Sequence, residues 1–345
     1  MGHQGSTKRY YCKPCDATFS VDHSRKEPSY WIAHIDGLPF RKLGDQIALT
    51  GKQIFVKVRL AINLLLWNWQ LTKEVCDPAL FSGILIMDGK YIAVKGFNQK
   101  IPFIYGIDYL THDIPHGDLF SAEDELSFSQ YFSKLKELGY DLRIVVADDR
   151  AGLKNALLKV FPYAKLQLCH NHFLENIRSG LKVRTVATYQ HFFNSLRLHV
   201  FLEGTDEQKV TDGLKHVMSE RTGSNAMLKN LLLEINERRK PLFTYLTVPG
   251  CPNNTNLIEL YNSHLQGRLK SIKGFQSFQS AQRWCNAWMI RRRTKPLTDC
   301  DTKFKHLNKH ASLEFTIKKQ VQWPEQLTNL GINRVKNSKL PSNTN

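Results

Sequence analysis

Two aspartates end apolar runs of the chain, a position from which an acid can act on a ligand. Asp88 ends the run ILIMD, and Asp148 ends RIVVAD. A single acid there is most often a helix cap or a loop residue, but strand ends in open α/β sheets also gather catalytic groups. A third acid, Glu259, follows an Asn-rich segment. Three converging carboxylates can hold Mg²⁺, which prefers oxygen ligands. Two such ions can activate a nucleophile and stabilise a leaving oxygen on phosphorus.

The elements around these acids predict a mixed α/β sheet. The apolar runs predict strands over 84–88, 91–97, 101–110, 142–148 and 164–170, with a hairpin turn at Gly89-Lys90. Helical spacing predicts helices over 121–139 and 150–161. Three strands in a meander, followed by alternating helices and strands, are typical of a sheet whose faces are covered by helices. Asp88 and Asp148 then lie on strands 1 and 4 of one sheet.

The remainder of the chain is mainly helical. Residues 171–248 show a helical pattern without strand candidates, and a break at 249–256 precedes a helix over 257–270. The segment 54–75 also has helical spacing, which fits either a remnant of a helix-turn-helix or a packing helix. The composition of residues 335–345 indicates a disordered tail.

The charge of the chain points to a polyanionic partner. Among 345 residues, 48 Lys and Arg stand against 31 Asp and Glu, a formal net charge of +17. Such an excess favours nucleic acid, with an anionic membrane surface as the lesser alternative. The excess lies mainly in the C-terminal third, because residues 260–320 hold 13 basic side chains and three acidic ones. The most apolar stretch, 54–67, is too short and too charged to cross a bilayer.

The cysteines indicate a reduced compartment. Their number, seven, is odd, and only Cys12 and Cys15 are closely spaced, whereas a disulfide framework shows more regular pairs. The N-terminus has no apolar segment of the kind that directs secretion. We therefore expect a cytosolic protein.

Four motifs in order give the chain a family resemblance. They are MDGKYIAVKG, VVADDRAGL, FPYAKLQLCHNHFLENI and NNTNLIELYNSHLQGRLKSIKGFQS. The set resembles the DDE transposases of insertion sequences, in particular the Mutator-like, IS256-like and ISL3-like group, which has a helical insertion before the Glu. The resemblance covers roughly residues 82–295.

The resemblance implies an RNase H-like fold, in which helices flank a mixed five-stranded sheet and an all-α insertion precedes the Glu-bearing helix. It divides the chain into five parts. These are a partial zinc-ribbon-like segment (1–25), a helical DNA-binding or linker region (26–80), the catalytic domain (81–182 and 249–295), the helical insertion (183–248), and a basic C-terminal region with a disordered tail (296–345).

The resemblance also implies that Asp88, Asp148 and Glu259 are the catalytic acids and hold two Mg²⁺ or Mn²⁺ ions. Asp149 is the rival for the second place, but in similar proteins the residue after the catalytic Asp is often Gly, which favours Asp148. We expect the three carboxylates within roughly 10 Å of one another at one edge of the sheet. Asp149 should point away, toward the N-terminus of the helix that starts near Arg150, where the helix dipole favours an acid.

Cys169 and His172 match the Cys-x-x-His motif of this group. As a zinc pair they lack two ligands, so a packed Cys and a His hydrogen-bonded near the active site is the preferred interpretation. The letters His170-Asn171-His172 also suggest an HNH nuclease, but that motif needs widely separated His and Asn residues.

The segment RYYCKPCDATFS resembles the second knuckle of a zinc ribbon. A ribbon needs four ligands, and only Cys12 and Cys15 are present. Either the other pair lies before Met1 in a longer protein, or His3 and His23 complete the site, which their loose spacing disfavours. We expect no well-formed zinc site in this chain.

Basic side chains after Glu259 are the candidates for DNA contact. They are Arg268, Lys270, Lys273, Arg291, Arg292 and Arg293. The alternative is that they form solvated helix faces.

These features predict a DNA transposase that cleaves strands at the ends of its own element and transfers them into target DNA. Its partners would be double-stranded DNA, at terminal inverted repeats and at the target, and further copies of itself in a synaptic complex. No membrane is involved, and the expected location is the prokaryotic cytosol, at the nucleoid. One alternative is a truncated or catalytically inactive DNA-binding protein derived from such an enzyme. Another is an RNase H-type nuclease acting on RNA–DNA hybrids, which the long insertion disfavours.

Overall fold

The computed structural model describes residues 2–4, 7–12, 17–21, 29–220 and 225–332. The N-terminal part is a three-stranded antiparallel sheet of β1 (Gly2–Gln4), β2 (Thr7–Cys12) and β3 (Ala17–Val21). Cys15, His23, the tail 335–345 and the side chains of Cys12 and His3 lie outside this description. The half zinc ribbon and the disordered tail therefore stay predictions.

Four helices lead to the main sheet. They are α1 (Tyr30–Asp36), α2 (Phe40–Asp45), α3 (Gly51–Leu64) and α4 (Asn68–Val75). The segment 54–75 is thus two helices, because the backbone is extended at Leu65 and Trp67, where ψ is 141° and 146°. The side chains of Ile54, Val58 and Ile62 are buried, so α3 packs one stripe against the core.

The main sheet has five strands. They are β4 (Ile84–Ile92), β5 (Ile101–Asp108), β6 (Gly117–Leu119), β7 (Ile144–Ala147) and β8 (Lys165–Leu168). The order is β6-β5-β4-β7-β8. The pairs β4–β5 and β5–β6 are antiparallel, whereas β4–β7 and β7–β8 are parallel. The prediction of a mixed five-stranded sheet is confirmed.

The predicted hairpin at Gly89-Lys90 is wrong. Strand β4 runs straight through it, and Gly89 and Lys90 pair with Ile104 and Phe103 of β5. A Cβ at Gly89 would lie 2.6 Å from Oε1 of Glu123, which is the movable end of a flexible side chain, so neither a turn nor a fixed contact requires glycine at this position. The third strand of the meander is accordingly β6, which no apolar run in the sequence predicted.

Helices cover both faces of the sheet. The helices α5 (Glu125–Glu137) and α6 (Leu153–Val160) pack on one face, and α12 (Asn256–Ile272) and α13 (Phe278–Thr294) pack on the other. Alternate side chains of β4 pack on opposite faces of the sheet. Ile84 and Ile86 pack on the α12 side, and Leu85 and Met87 pack on the α5 side. This alternation is what a strand buried on both faces requires.

A helical segment connects β8 to α12. Its helices are α7 (His170–Gly180), α8 (Ala187–His199), α9 (Glu207–Ser219), α10 (Ala226–Glu237) and α11 (Arg239–Phe243). They share a hydrophobic core of their own, to which Phe192, Leu196 and Leu232 belong. Between β8 and α12, residues 169–220 and 225–255 contain no strand. In the part of the chain that the structure describes, no helix is long and apolar enough to cross a membrane.

The described part of the basic C-terminal region is folded against the rest. Short 3-10 helices at Thr302–Leu307 and Ser312–Phe315 precede α14 (Glu325–Asn329). The indole Nε1 of Trp31 in α1 donates to the carbonyl of Leu330 at 2.8 Å. Residues up to 332 thus close back onto the N-terminal helices.

Candidate active site

Asp88 lies in β4, and Asp148 directly follows β7, the parallel neighbour of β4. The last pair of the ladder between these strands is Ile86 with Val146, two residues before each aspartate. Paired strands lie about 4.8 Å apart. Ile86 and Val146 both face the α12 layer, and the period of two puts both aspartates on that face. Burial, and then the charge of Asp148, raise the pKa of Asp88.

Glu259 reaches the same place from the first turn of α12. The hydroxyl of Thr255 donates to its Oε1 at 2.9 Å. His172 lies between two of the acids, with Nδ1 2.8 Å from Oδ1 of Asp148 and Nε2 3.9 Å from Oε1 of Glu259. This chain of contacts keeps the Asp148 and Glu259 oxygens within the roughly 10 Å that a two-metal site permits. The structure brings the three predicted acids together, and their catalytic role stays a prediction.

Asn262 fixes the carboxylate of Asp88, and sequence reasoning missed it. Its Nδ2 donates to Oδ2 of Asp88 at 2.7 Å, and its Oδ1 accepts from the hydroxyl of Tyr105 at 2.9 Å. Tyr105 is fully buried in β5, and burial keeps its pKa well above the usual value, so the hydroxyl remains a donor. The only sequence signal was that Asn262 follows Glu259 by three residues and so shares its helix face.

The Cys-x-x-His motif lies against these acids. The hydroxyl of Thr255 is 3.1 Å from Sγ of Cys169 and 3.4 Å from Nδ1 of His172. Hydrogen bonds with Asp148 and then with Cys169 raise the pKa of His172 to about 10. Burial alone would raise the pKa of the Cys169 thiol, but hydrogen bonds with His172 and Thr255 lower it. The predicted buried Cys and hydrogen-bonded His are both present, and Thr255, which the sequence did not single out, links them to Glu259.

Asp149 does not cap the helix that follows it. Helix α6 has Gly152 at its N-cap, with no side-chain hydrogen bond, so that expectation is wrong. The carboxylate of Asp149 pairs with Arg238 at the end of α10. The full charge of a guanidinium attracts the carboxylate of Asp149 more strongly than the partial charge of a helix end does. Asp149 therefore ties the helical segment to the end of β7.

The predicted DNA-binding arginines are largely engaged within the protein. Arg268 donates to the backbone carbonyls of α1, Arg291 pairs with Asp36, and Arg292 lies 4.5 Å from the ring centre of Tyr261. Arg293 has no exposed surface and pairs with the equally buried Asp113 at 2.8 Å. The prediction that Arg293 contacts DNA is wrong, because a fully buried side chain cannot reach a phosphate.

The two lysines of the predicted set are exposed. Lys270 lies in the last turn of α12, and Lys273 follows it. Lys273 lines a cleft of about 510 Å³ together with Lys95 and Lys100. The latter two come from the loop after β4, and sequence reasoning missed them because they are far from Glu259 in the chain. Three exposed lysines thus lie together near the end of β4, the strand that carries Asp88.

The donor set of the site fits Mg²⁺ or Mn²⁺. Asp88, Asp148 and Glu259 offer carboxylate oxygens, which are the ligands that both ions prefer. Burial, and to a lesser degree the charge of Asp148, raise the pKa of Asp88, and a divalent cation bound by both carboxylates would offset the two effects. The three acids can therefore hold the metal that the resemblance implies.

Replacing Asn262 with Leu should weaken metal binding by about 10- to 100-fold, the usual effect of losing a group that orients a metal ligand. The change removes the hydrogen bond to Asp88 while nearly keeping the side-chain volume. We would measure Mn²⁺ affinity from the electron paramagnetic resonance signal of the free ion. Gln266→Leu, one turn further along α12, is the matched control and should bind Mn²⁺ as the unmodified chain does. Equal affinity in the Asn262 variant would refute the positioning role.

Comparisons with known proteins find similar sequences that cover the candidate site. A family model described as the Mutator family of transposases matches residues 83–293, which is more than half of the chain. Two relatives, from Staphylococcus aureus and Enterococcus faecalis, are each described as the transposase for insertion sequence element IS256 in transposon Tn4001. Each is 26% identical over 237 residues, which is 65% of this chain and 57% of the relative. The chain thus spans little more than half the length of these relatives. The range 83–293 that the family model matches contains all three clustered acids.

Proposed function

The chain belongs to the Mutator family of transposases, and from this membership we propose that it cleaves DNA strands at the ends of its own element and joins them to target DNA. The observation that carries the proposal is the convergence of Asp88, Asp148 and Glu259 on one face of the sheet, within the range that the family matches. The fold supports the proposal too, because a mixed five-stranded sheet flanked by helices, with an all-helical segment before α12, is what the resemblance to an RNase H-like domain implies.

We propose that the three acids hold two Mg²⁺ or Mn²⁺ ions. When bound, such ions activate a nucleophile and stabilise the leaving oxygen on phosphorus. Asn262 and Tyr105 hold the carboxylate of Asp88 in one orientation. Thr255 does the same for Glu259. The residues of the chain thus contribute mainly preorganisation, since positioning accounts for much of the rate in such sites.

We propose that double-stranded DNA runs past the end of α12. The exposed Lys270 and Lys273, with Lys95 and Lys100 in the adjoining cleft, support this path. Pairing two element ends in one complex would require at least two copies of the chain.

The test of function is a cleavage assay in Mg²⁺ with three labelled substrates. They are a duplex with the inverted repeat that flanks the gene, a random duplex of equal length, and an RNA–DNA hybrid. We expect a nick at the element end of the first substrate alone. Cleavage of the hybrid alone would indicate an RNase H-type nuclease, and binding of the repeat without cleavage would indicate a non-catalytic DNA-binding protein.

The double variant Lys270→Gln/Lys273→Asn should bind DNA with a weaker dependence on salt. Each phosphate contact contributes about 0.9 to the slope of log K against log salt concentration, so losing two should reduce the slope by about 1.8. Asn suits position 273 because the backbone there is left-handed, with φ of 63°. Fluorescence anisotropy between low and moderate salt gives the slope. Lys209→Gln/Lys215→Gln, which removes two exposed lysines of α9, should leave the slope unchanged; an unaltered slope in the Lys270/Lys273 variant would exclude this path for DNA.

A further inference from the structure

We propose that Cys169, His172 and Glu259 form a second metal site, for a thiophilic ion such as Zn²⁺, and that its occupation excludes the ions of the active site. Metal binding here is independent of the proposed function, whereas the inhibitory consequence rests on it. The sequence offered only a Cys and a His. The fold supplies the third ligand from α12, which begins 84 residues after His172.

The three ligand atoms are already close to one another. Sγ of Cys169, a ring nitrogen of His172 and a carboxylate oxygen of Glu259 all lie within 4.8 Å. No other group of three such side chains in the described part of the chain comes this close. Zinc bonds of about 2.0–2.3 Å place tetrahedral ligands roughly 3.3–3.8 Å apart, and Nε2 of His172 lies 3.9 Å from Oε1 of Glu259. Small side-chain movements would therefore close the site.

The groups around the ligands are those that a zinc site uses. A histidine that binds a metal usually gives its other ring N–H to a carboxylate. His172 has this arrangement, because Nδ1 lies 2.8 Å from Asp148 while Nε2 faces Glu259. The hydroxyl of Thr255 lies 2.9 Å from Oε1 of Glu259 and 3.1 Å from Sγ of Cys169, so it can orient either ligand. A water would take the fourth position, on the exposed side where His172 and Glu259 meet solvent.

The chemistry of this set separates it from the active-site acids. Thiolate and imidazole select zinc and similar ions, whereas Mg²⁺ requires oxygen ligands. Glu259 belongs to both sets, and Asp148 would be engaged in holding His172. The two kinds of metal therefore compete, and zinc should inhibit Mg²⁺-dependent cleavage.

The test is a Co²⁺ titration of the full chain carrying Cys12→Ser and Cys15→Ser, which removes the only closely spaced cysteines in the sequence. We expect one ion per chain, with a thiolate-to-cobalt charge-transfer band and the visible absorption of tetrahedral Co²⁺. Adding Cys169→Ser should abolish the charge-transfer band. His172→Asn and Glu259→Gln should each weaken Co²⁺ binding by about tenfold or more, as should Asp148→Asn, which removes the orienting carboxylate. An excess of Mg²⁺ should also raise the Co²⁺ concentration needed.

Two matched controls should leave the band unchanged. Cys300→Ser removes a partly exposed thiol elsewhere, and His264→Asn removes an exposed imidazole from the same helix as Glu259. Near-ultraviolet circular dichroism checks that each variant is folded. If Cys169→Ser fails to fold, His172→Asn decides the question, because its side chain is 38% exposed.

A missing band, a band that survives Cys169→Ser, or an affinity for Co²⁺ that His172→Asn leaves unchanged would overturn the metal site. Co²⁺ binding that ignores excess Mg²⁺ would overturn the competition. A protein that shows the band but never cleaves DNA would contradict the proposed function and leave the metal site standing. DNA cleavage without the band would contradict only the metal site.

Discussion

Replacing Asp88 with Asn is expected to reduce strand cleavage by roughly 10³-fold or more, because the change removes a negative ligand from the proposed two-ion site. Binding of the end duplex should stay within about twofold, since phosphate contacts dominate affinity and the exposed lysines are untouched. A gel assay of nicking in Mg²⁺ measures the loss of cleavage, and fluorescence anisotropy measures whether DNA binding is retained. Asn also keeps an oxygen near the Nδ2 donor of Asn262, so the fold should be preserved. Retained cleavage by this variant would refute the catalytic assignment.

The pair Asp148→Asn and Asp149→Asn provides the control. The two residues are adjacent, but Asp148 contacts His172 and its charge acts on Asp88, while Asp149 pairs with Arg238. We expect the first change to abolish cleavage as Asp88→Asn does. The second should lower it only modestly, because it loosens the link to α10. The reverse ranking would show that Asp149 is the second acid and would leave the other two assignments intact.

Replacing Arg293 with Met is expected to destabilise the fold by about 3–5 kcal/mol, the usual cost of breaking one side of a buried ion pair. Nε and Nη2 of the guanidinium each donate to an oxygen of Asp113 at 2.8 Å. Asp113 also accepts from the hydroxyls of Ser312 and Thr316. The change therefore leaves a fully buried carboxylate without its cation. Urea unfolding followed by tryptophan fluorescence is suitable because Trp284 and Trp288 lie on the same helix.

Two further variants make this prediction specific. Arg291→Met removes a more exposed arginine, paired with Asp36, and should cost no more than about 1 kcal/mol. Adding Asp113→Leu to Arg293→Met should recover part of the lost stability, because an apolar pair no longer contains an unpaired charge. If Arg293→Met were as stable as Arg291→Met, the prediction that the buried pair with Asp113 stabilises the fold would be wrong.

The sequence was informative about the sheet because a strand buried on both faces is a continuous apolar run. The runs at 84–88 and 142–148 predicted strands, and the acid that ends each run predicted the ligand-bearing edge. It failed at Gly89, where a glycine between two apolar runs indicated a turn. Gly89 instead continues β4 and pairs with Ile104 of β5, and no local pattern encodes a pairing partner on another strand.

The three consecutive arginines of α13 also show which features the sequence predicts and which depend on the tertiary structure. Arg291, Arg292 and Arg293 are indistinguishable as letters, yet a helix sends consecutive side chains about 100° apart around its axis. Arg293 consequently points into the core toward Asp113, while Arg292 lies over Tyr261 and Arg291 meets Asp36. Which of the three is buried depends on how α13 is rotated against the sheet.

By itself, the sequence determined the type of chemistry and the elements that carry it: three carboxylates, two of them at strand ends, in a basic chain with the motifs of a transposase family. These features are local, because apolar runs, periodicity and residue type are set within a few positions. Only the tertiary structure decided which side chains support the acids. Asn262 donates a hydrogen bond to Asp88, which is 174 residues away in the sequence, and Thr255 donates one to Cys169, which is 86 residues away. Contacts at such separations follow from the packing of α12 on the sheet, and the order of letters in one chain leaves that packing open.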